Sequence, residues 1–234
     1  RERALIGGLG SLVVIAGDGV RSSSCELPRR KDAPPLIQKV ALGGDHALLQ
    51  LQGGALEVWS ISRSAAVGAL TGRARPQRDG VAALALSPAG TLAATAGYDG
   101  TLLLHALPSR EVVRVLHGWS ECDQLAFADE ATLLVLRGSQ LELRDLEGRV
   151  LAATTTTGRA HRSALDALRG RALVTRADQI WLHDLRSSNP IAHATLPAPI
   201  AACALGETSV GLTFGADGWA VGALREAGDG GVGA

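Results

Sequence analysis

The sequence predicts an all-β chain of six successive repeats of about 40 residues, the period of four-stranded propeller blades. Three observations predict it. An apolar anchor recurs at a near-constant interval along the 234 residues. Each anchor is followed by a turn, an apolar strand, a tight turn rich in Gly or Asp, and a further strand. A fourth β-prone segment then leads into the next repeat.

The anchors are Ile6 in "RALIGGLGS", Leu42 in "QKVALGGDH", Leu86 in "VAALALSPAG", Phe127 in "DQLAFADEA", Leu168 in "ALDALRGRA" and Leu205 in "AACALGETS". They are spaced by 36, 44, 41, 41 and 37 residues. The second strands read "LVVIAG", "ALLQL", "TLAATAG", "TLLVLRG", "ALVTRAD" and "SVGLTFG". Tight turns follow at Asp18-Gly19, Gly53-Gly54, Asp99-Gly100, Gly138-Ser139, Asp178-Gln179 and Asp217-Gly218. Asp-Gly between apolar runs is a hairpin signal, because Gly accepts the positive φ such turns need. The third strands are "ALEVWSI", "TLLLHAL", "QLELRDL", "QIWLHDL" and "WAVGAL". Their matching near-terminal residues are Trp59, His105, Arg144, His183 and Gly222. Fourth segments are "AAVGALTG", "EVVRVLHG", "VLAATTTT" and "PIAHATL", while the first repeat loses its regularity after Gly19.

Composition bounds the function classes. A hydrophobic content of 46% is ample for a core. Lys plus Arg and Asp plus Glu both number 23, so the net charge is zero. That balance argues against gripping nucleic acid through its phosphates. Cys25, Cys122 and Cys203 are an odd number, far apart, with no CxxC pair. Neither a disulfide framework nor a structural zinc site is expected, and a reducing compartment is. No apolar run reaches the ~18 residues of a membrane span, and "RERALIGG" lacks the apolar centre of a signal peptide. The expected location is intracellular, cytoplasmic rather than nuclear. With no Met anywhere, the chain is expected to be processed or a piece of a longer one.

The stretch "LSPAGTLAATAGYDGTLLLHAL" resembles a blade of the WD40 repeat family, and "EVWSI", "ELRDL" and "WLHDL" sit where that family places its Trp-Asp dipeptide. The Trp survives only as Trp59 and the Asp as Asp145 and Asp184. In the family a buried network joins a turn Asp, a strand Ser or Thr, a loop His and the Trp. Asp99 and Thr95 match two of those places, His105 replaces the Trp, and no His precedes Val81 where one is expected. Blade stability is therefore expected to rest on apolar stacking between neighbours. The resemblance implies a WD40-like β-propeller over residues 1–226. Seven blades being usual in the family, six repeats imply an incomplete seven-bladed ring, the alternative being a six-bladed ring with imperfect closure. The Gly-rich tail at 227–234 is expected to be disordered.

No HExxH, GxSxG or P-loop occurs, so a non-catalytic chain without cofactor or metal is expected. "GGLGSLVV" lacks the strand–turn–helix context of a dinucleotide site. His105 and His183 share one strand position and read as buried packing residues. Arg29, Arg30 and Lys31 form a short basic run between prolines and read as a solvated loop. Thr154 to Thr157 read as β-branched residues of an outer strand. Asp123 and Asp129 flank an inner strand at a spacing that makes no acid–base pair.

One constellation reads as a binding surface, against a chance exposed aromatic in a loop. In a propeller, the turns between second and third strands share a face with the loops entering each inner strand. That face is expected to collect Tyr98, Arg137 and Arg176 from turns, and Arg78, Trp119 and His161 from entering loops. Aromatics and Arg are the side chains most enriched at binding hot spots. The alternative reading packs Trp119 between blades. The resemblance implies a scaffold that contacts other proteins, with nucleic acid and small-molecule ligands not expected. The rival readings are a regulatory or sensor propeller fused to an enzymatic or signalling module, and an enzyme using a metal or quinone in the central channel.

Overall fold

The computed structural model describes residues 3–7, 11–16, 22–26, 36–70, 80–107, 109–160, 162–205, 209–214 and 218–223. Several sequence expectations fall outside the described residues: Asp18-Gly19, the Arg29–Lys31 run, Arg78, His161, Asp217 and the 227–234 tail.

The described strands form six antiparallel sheets, each a meander in chain order. Blade 1 has β1 (Arg3–Gly7), β2 (Ser11–Ala16) and β3 (Ser22–Glu26). Blade 2 has β4 (Ile37–Gly43), β5 (His46–Leu51), β6 (Leu56–Ser60) and β7 (Ala65–Ala69). Blade 3 has β8 (Val81–Leu86), β9 (Leu92–Gly97), β10 (Thr101–Ala106) and β11 (Glu111–His117). Blade 4 has β12 (Cys122–Phe127), β13 (Thr132–Arg137), β14 (Gln140–Asp145) and β15 (Val150–Thr155). Blade 5 has β16 (Arg162–Asp166), β17 (Arg171–Arg176), β18 (Gln179–Asp184) and β19 (Ala192–Thr195). Blade 6 has β20 (Ala202–Leu205), β21 (Ser209–Phe214) and β22 (Gly218–Ala223). The first strands β1, β4, β8, β12, β16 and β20 stand beside one another in that order, which rings the sheets as a β-propeller with these strands innermost.

The expected third-strand register is what the structure shows. Trp59 faces Ala47, His105 faces Ala93, Arg144 faces Leu133, His183 faces Ala172 and Gly222 faces Val210. One anchor needs correction. Leu168 lies beyond β16, in the turn before β17, and is 77% exposed. Leu165, opposite Ala172 in the ladder, takes the anchor's place, 38 residues after Phe127 and 40 before Leu205. Two leucines three apart satisfy the same pattern, and only pairing with the next strand separates them.

Burial peaks at the second strands: the innermost β4, β16 and β20 are only partly buried beside them. The second strands β9 and β13 are buried along most of their length, while the outermost β11 and β19 are largely exposed. Second strands bury both faces because alternate side chains enter different inter-blade layers. In β13, Leu133 and Val135 join a layer with blade 3, whereas Leu134 and Leu136 join one with blade 5. Small residues of one blade meet large ones of the next. Ala83, Ala85, Ala94 and Ala96 of blade 3 pack on Leu125, Phe127 and Leu133 of blade 4. Each fully buried Leu contributes about 1.5–3 kcal/mol. The expected apolar stacking between neighbours is thus the principal core. The Asp99 carboxylate, by contrast, stays in its own exposed turn and accepts from the Thr101 backbone N–H (3.0 Å) and hydroxyl (2.7 Å).

Candidate binding face

The turns between second and third strands do adjoin the starts of the inner strands. The Tyr98 N–H donates to the Gly80 carbonyl (3.1 Å), Gly138 N–H to the Glu121 carbonyl (3.2 Å), and Ile200 N–H to the Ala177 carbonyl (2.9 Å). The first two bonds tie a turn to the segment entering its own blade's inner strand and the third ties a turn to the segment entering the next blade's, so both sets of loops share one end of the molecule.

At that end three inner strands depart from regular pairing in the same way. The register skips Gln38 in β4, Ala82 in β8 and Asp123 in β12. A bulge bends its strand and re-aims the side chains beside it. Here the bulges border a cavity of about 420 Å³ on the propeller axis. Its wall comes from five blades: Lys39 of β4; Ala82 of β8; Cys122, Asp123 and Gln124 of β12; Arg162 and Ser163 of β16; and Ala202 and Cys203 of β20. Tyr98 forms part of the rim, with Ala160 and Ala201 completing the lining.

The charged wall groups are individually anchored. The Lys39 ammonium donates to the Ala82 carbonyl of the neighbouring blade, and its burial holds its pKa below the usual lysine value. Arg162 Nε donates to the Ala201 carbonyl at 2.9 Å. Asp123 Oδ2 accepts from the Gly138 N–H at 3.0 Å, and its Oδ1 lies 3.5 Å from the Arg159 guanidinium. Burial pushes the Cys122 thiol up to about 12 and the Cys203 thiol to about 11, so both stay protonated at neutral pH. Among the described residues, no group of three or more His, Cys, Asp or Glu is placed to hold a metal ion.

The six expected face residues divide. Tyr98 is 66% exposed at the cavity rim. Trp119 is not on the surface: it is 2% exposed and packs in the layer between blades 3 and 4. Its backbone N–H donates to the Gly100 carbonyl (2.9 Å), which draws its loop under the neighbouring turn. Arg137 braces its own blade, donating to the Gly118 and Ser120 carbonyls (3.0 and 3.2 Å) and lying 3.8 Å from Glu142. Arg176 is exposed at the end of β17. Arg78 and His161 lie outside the described residues. Sequence reasoning passed over Lys39, Arg162 and the thiols of Cys122 and Cys203. The signal was their place within a residue or two of inner-strand starts, the end opposite the anchors.

No family model and no curated protein matches this sequence. Among solved structures, the structure of U3-55K matches with a TM-score of 0.65 and 14% identity, covering 90% of this chain and 70% of that one. The crystal structure of the RRP9 WD40 repeats matches with a TM-score of 0.66 and 14% identity, covering 90% and 69%. The arrangement of blades, inner strands and shared loop face is thus that of a WD40-type β-propeller.

Proposed function

We propose that the chain is a non-catalytic propeller scaffold that engages another protein through the face on which the axial cavity opens. Fold does not fix function, so the reading rests on the site. The observation that carries it is Tyr98, two-thirds exposed on a short turn at the rim of a polar cavity built by five blades. A large amphipathic ring on a rigid hairpin adds contact area at low entropic cost.

The test is affinity purification of the tagged chain from its own cells, comparing wild type with Tyr98→Ala. Val113→Ser with Val115→Ser, on the exposed outer strand β11, is the control. Partners lost in Tyr98→Ala and kept in the control support the reading. Partners unchanged in Tyr98→Ala, with the fold intact by circular dichroism, would overturn it.

A further inference from the structure

The axial cavity has a chemistry that narrows what can enter it, and this inference rests on the scaffold reading. We propose that the cavity takes a carboxylate of an acidic peptide segment, seated against the Lys39 ammonium and beside the Arg162 guanidinium, with Tyr98 covering the chain as it enters.

Lys39 carries the argument. It is a half-buried ammonium whose near partner is a neutral carbonyl, that of Ala82. Taking a cation out of water costs free energy that one neutral acceptor recovers only in part. An arriving carboxylate supplies the opposite charge and a charge-assisted hydrogen bond. Arg162 adds a second cation on the same wall. Among the described residues, the one carboxylate on the wall, Asp123, is already held by the Gly138 N–H and by Arg159. The two thiols remain neutral for the reason given above, so they add no competing negative charge.

The size and shape favour a side chain on a longer ligand. A volume of about 420 Å³ falls within the roughly 300–1,000 Å³ range of ligand clefts. A free inorganic anion would occupy a small part of it and leave the exposed Tyr98 ring untouched. A peptide reaches both.

The experiment is fluorescence anisotropy with two labelled Gly-Ser peptides, one bearing Glu residues and one bearing Gln at the same places. The Glu peptide is expected to bind, more weakly as salt rises, and the Gln peptide to bind at least about tenfold less well. Lys39→Met is expected to cut Glu-peptide affinity about tenfold, and Lys39→Arg to retain it. Equal binding of the two peptides to the wild type overturns the proposal without needing any variant to fold. Displacement of the Glu peptide by an equal concentration of inorganic phosphate also overturns it, marking a free-anion site. The two readings fail separately. If Tyr98→Ala loses its cellular partners while folded Lys39→Met binds the Glu peptide normally, the scaffold stands and the carboxylate assignment falls. If the Glu peptide behaves as expected and Tyr98→Ala keeps every partner, the scaffold reading falls.

Discussion

The Arg144 guanidinium lies over the Trp119 ring, 5.2 Å from its centroid. Arg144 occupies the third-strand place that Trp59 holds in blade 2, while Trp119 comes from the loop entering blade 4. Its Nε donates to Glu142 (2.7 Å) and its Nη1 to the Gly148 carbonyl (2.7 Å). Glu142 and Arg144 lie two apart on one strand and so share a face. The missing Trp of this blade is thus replaced by an Arg that covers a Trp supplied by a loop.

Trp119→Ala is therefore expected to destabilise the chain by about 3–5 kcal/mol, the usual cost of emptying a buried Trp site. Urea unfolding measures it. A surface anchor would instead change stability by less than about 0.5 kcal/mol.

Gly43 marks a second contact between blades. A Cβ there would sit 2.2 Å from the Ser87 carbonyl oxygen and 2.7 Å from Leu86 Cβ. Both belong to the neighbouring blade's inner strand or its end, and the first is backbone that cannot rotate away. Gly43→Ala is expected to cost about 1–3 kcal/mol through overpacking, read as a lower urea midpoint at unchanged slope.

The β17–β18 turn places Ala177 at φ 53, where the equivalent β13–β14 turn has Gly138 at φ 55. A residue with a Cβ is strained there, and Gly is not. Ala177→Gly is expected to stabilise by about 0.5–1 kcal/mol, and Gly138→Ala to destabilise by a similar amount or more. Thermal melts of the two variants should shift in opposite directions.

His183 is buried, and its Nε2 accepts from the Thr157 backbone N–H at 3.1 Å. That bond requires the neutral ring with the proton on Nδ1, and burial holds the pKa below the ordinary 6.5. The unfolded chain takes up the proton first as pH falls. Stability supported by the neutral ring is thus full above about 6.5 and declines as pH drops from there toward the folded-state pKa. The melting temperature should fall across that window in wild type, and more shallowly in His183→Gln, which has no titrating ring.

Much of the fold is legible from short-range pattern. Apolar alternation, Gly- and Asp-rich turns and the near-40-residue period place the described blades, and the third-strand series from Trp59 to Gly222 holds its register. The misplaced anchor arose where "ALDAL" offers two leucines to the same template. The site was harder to read. Tyr98 was found because a tight turn leaves its central side chains outside. Lys39 and Arg162 were missed because a lone cation near a strand start has no periodic signature.

Repeat length, turn type and strand order are local properties of the chain, governed by backbone sterics and by which residues shun water. They can be read from the amino acids alone. The fate of individual loop side chains is set by contacts between segments far apart in sequence. Trp119 is buried because Arg144 and the alanines of blade 3 close over it, and the axial cavity exists because five strand starts converge there. Those contacts depend on how one sheet twists against the next, and no window of neighbouring residues contains that information.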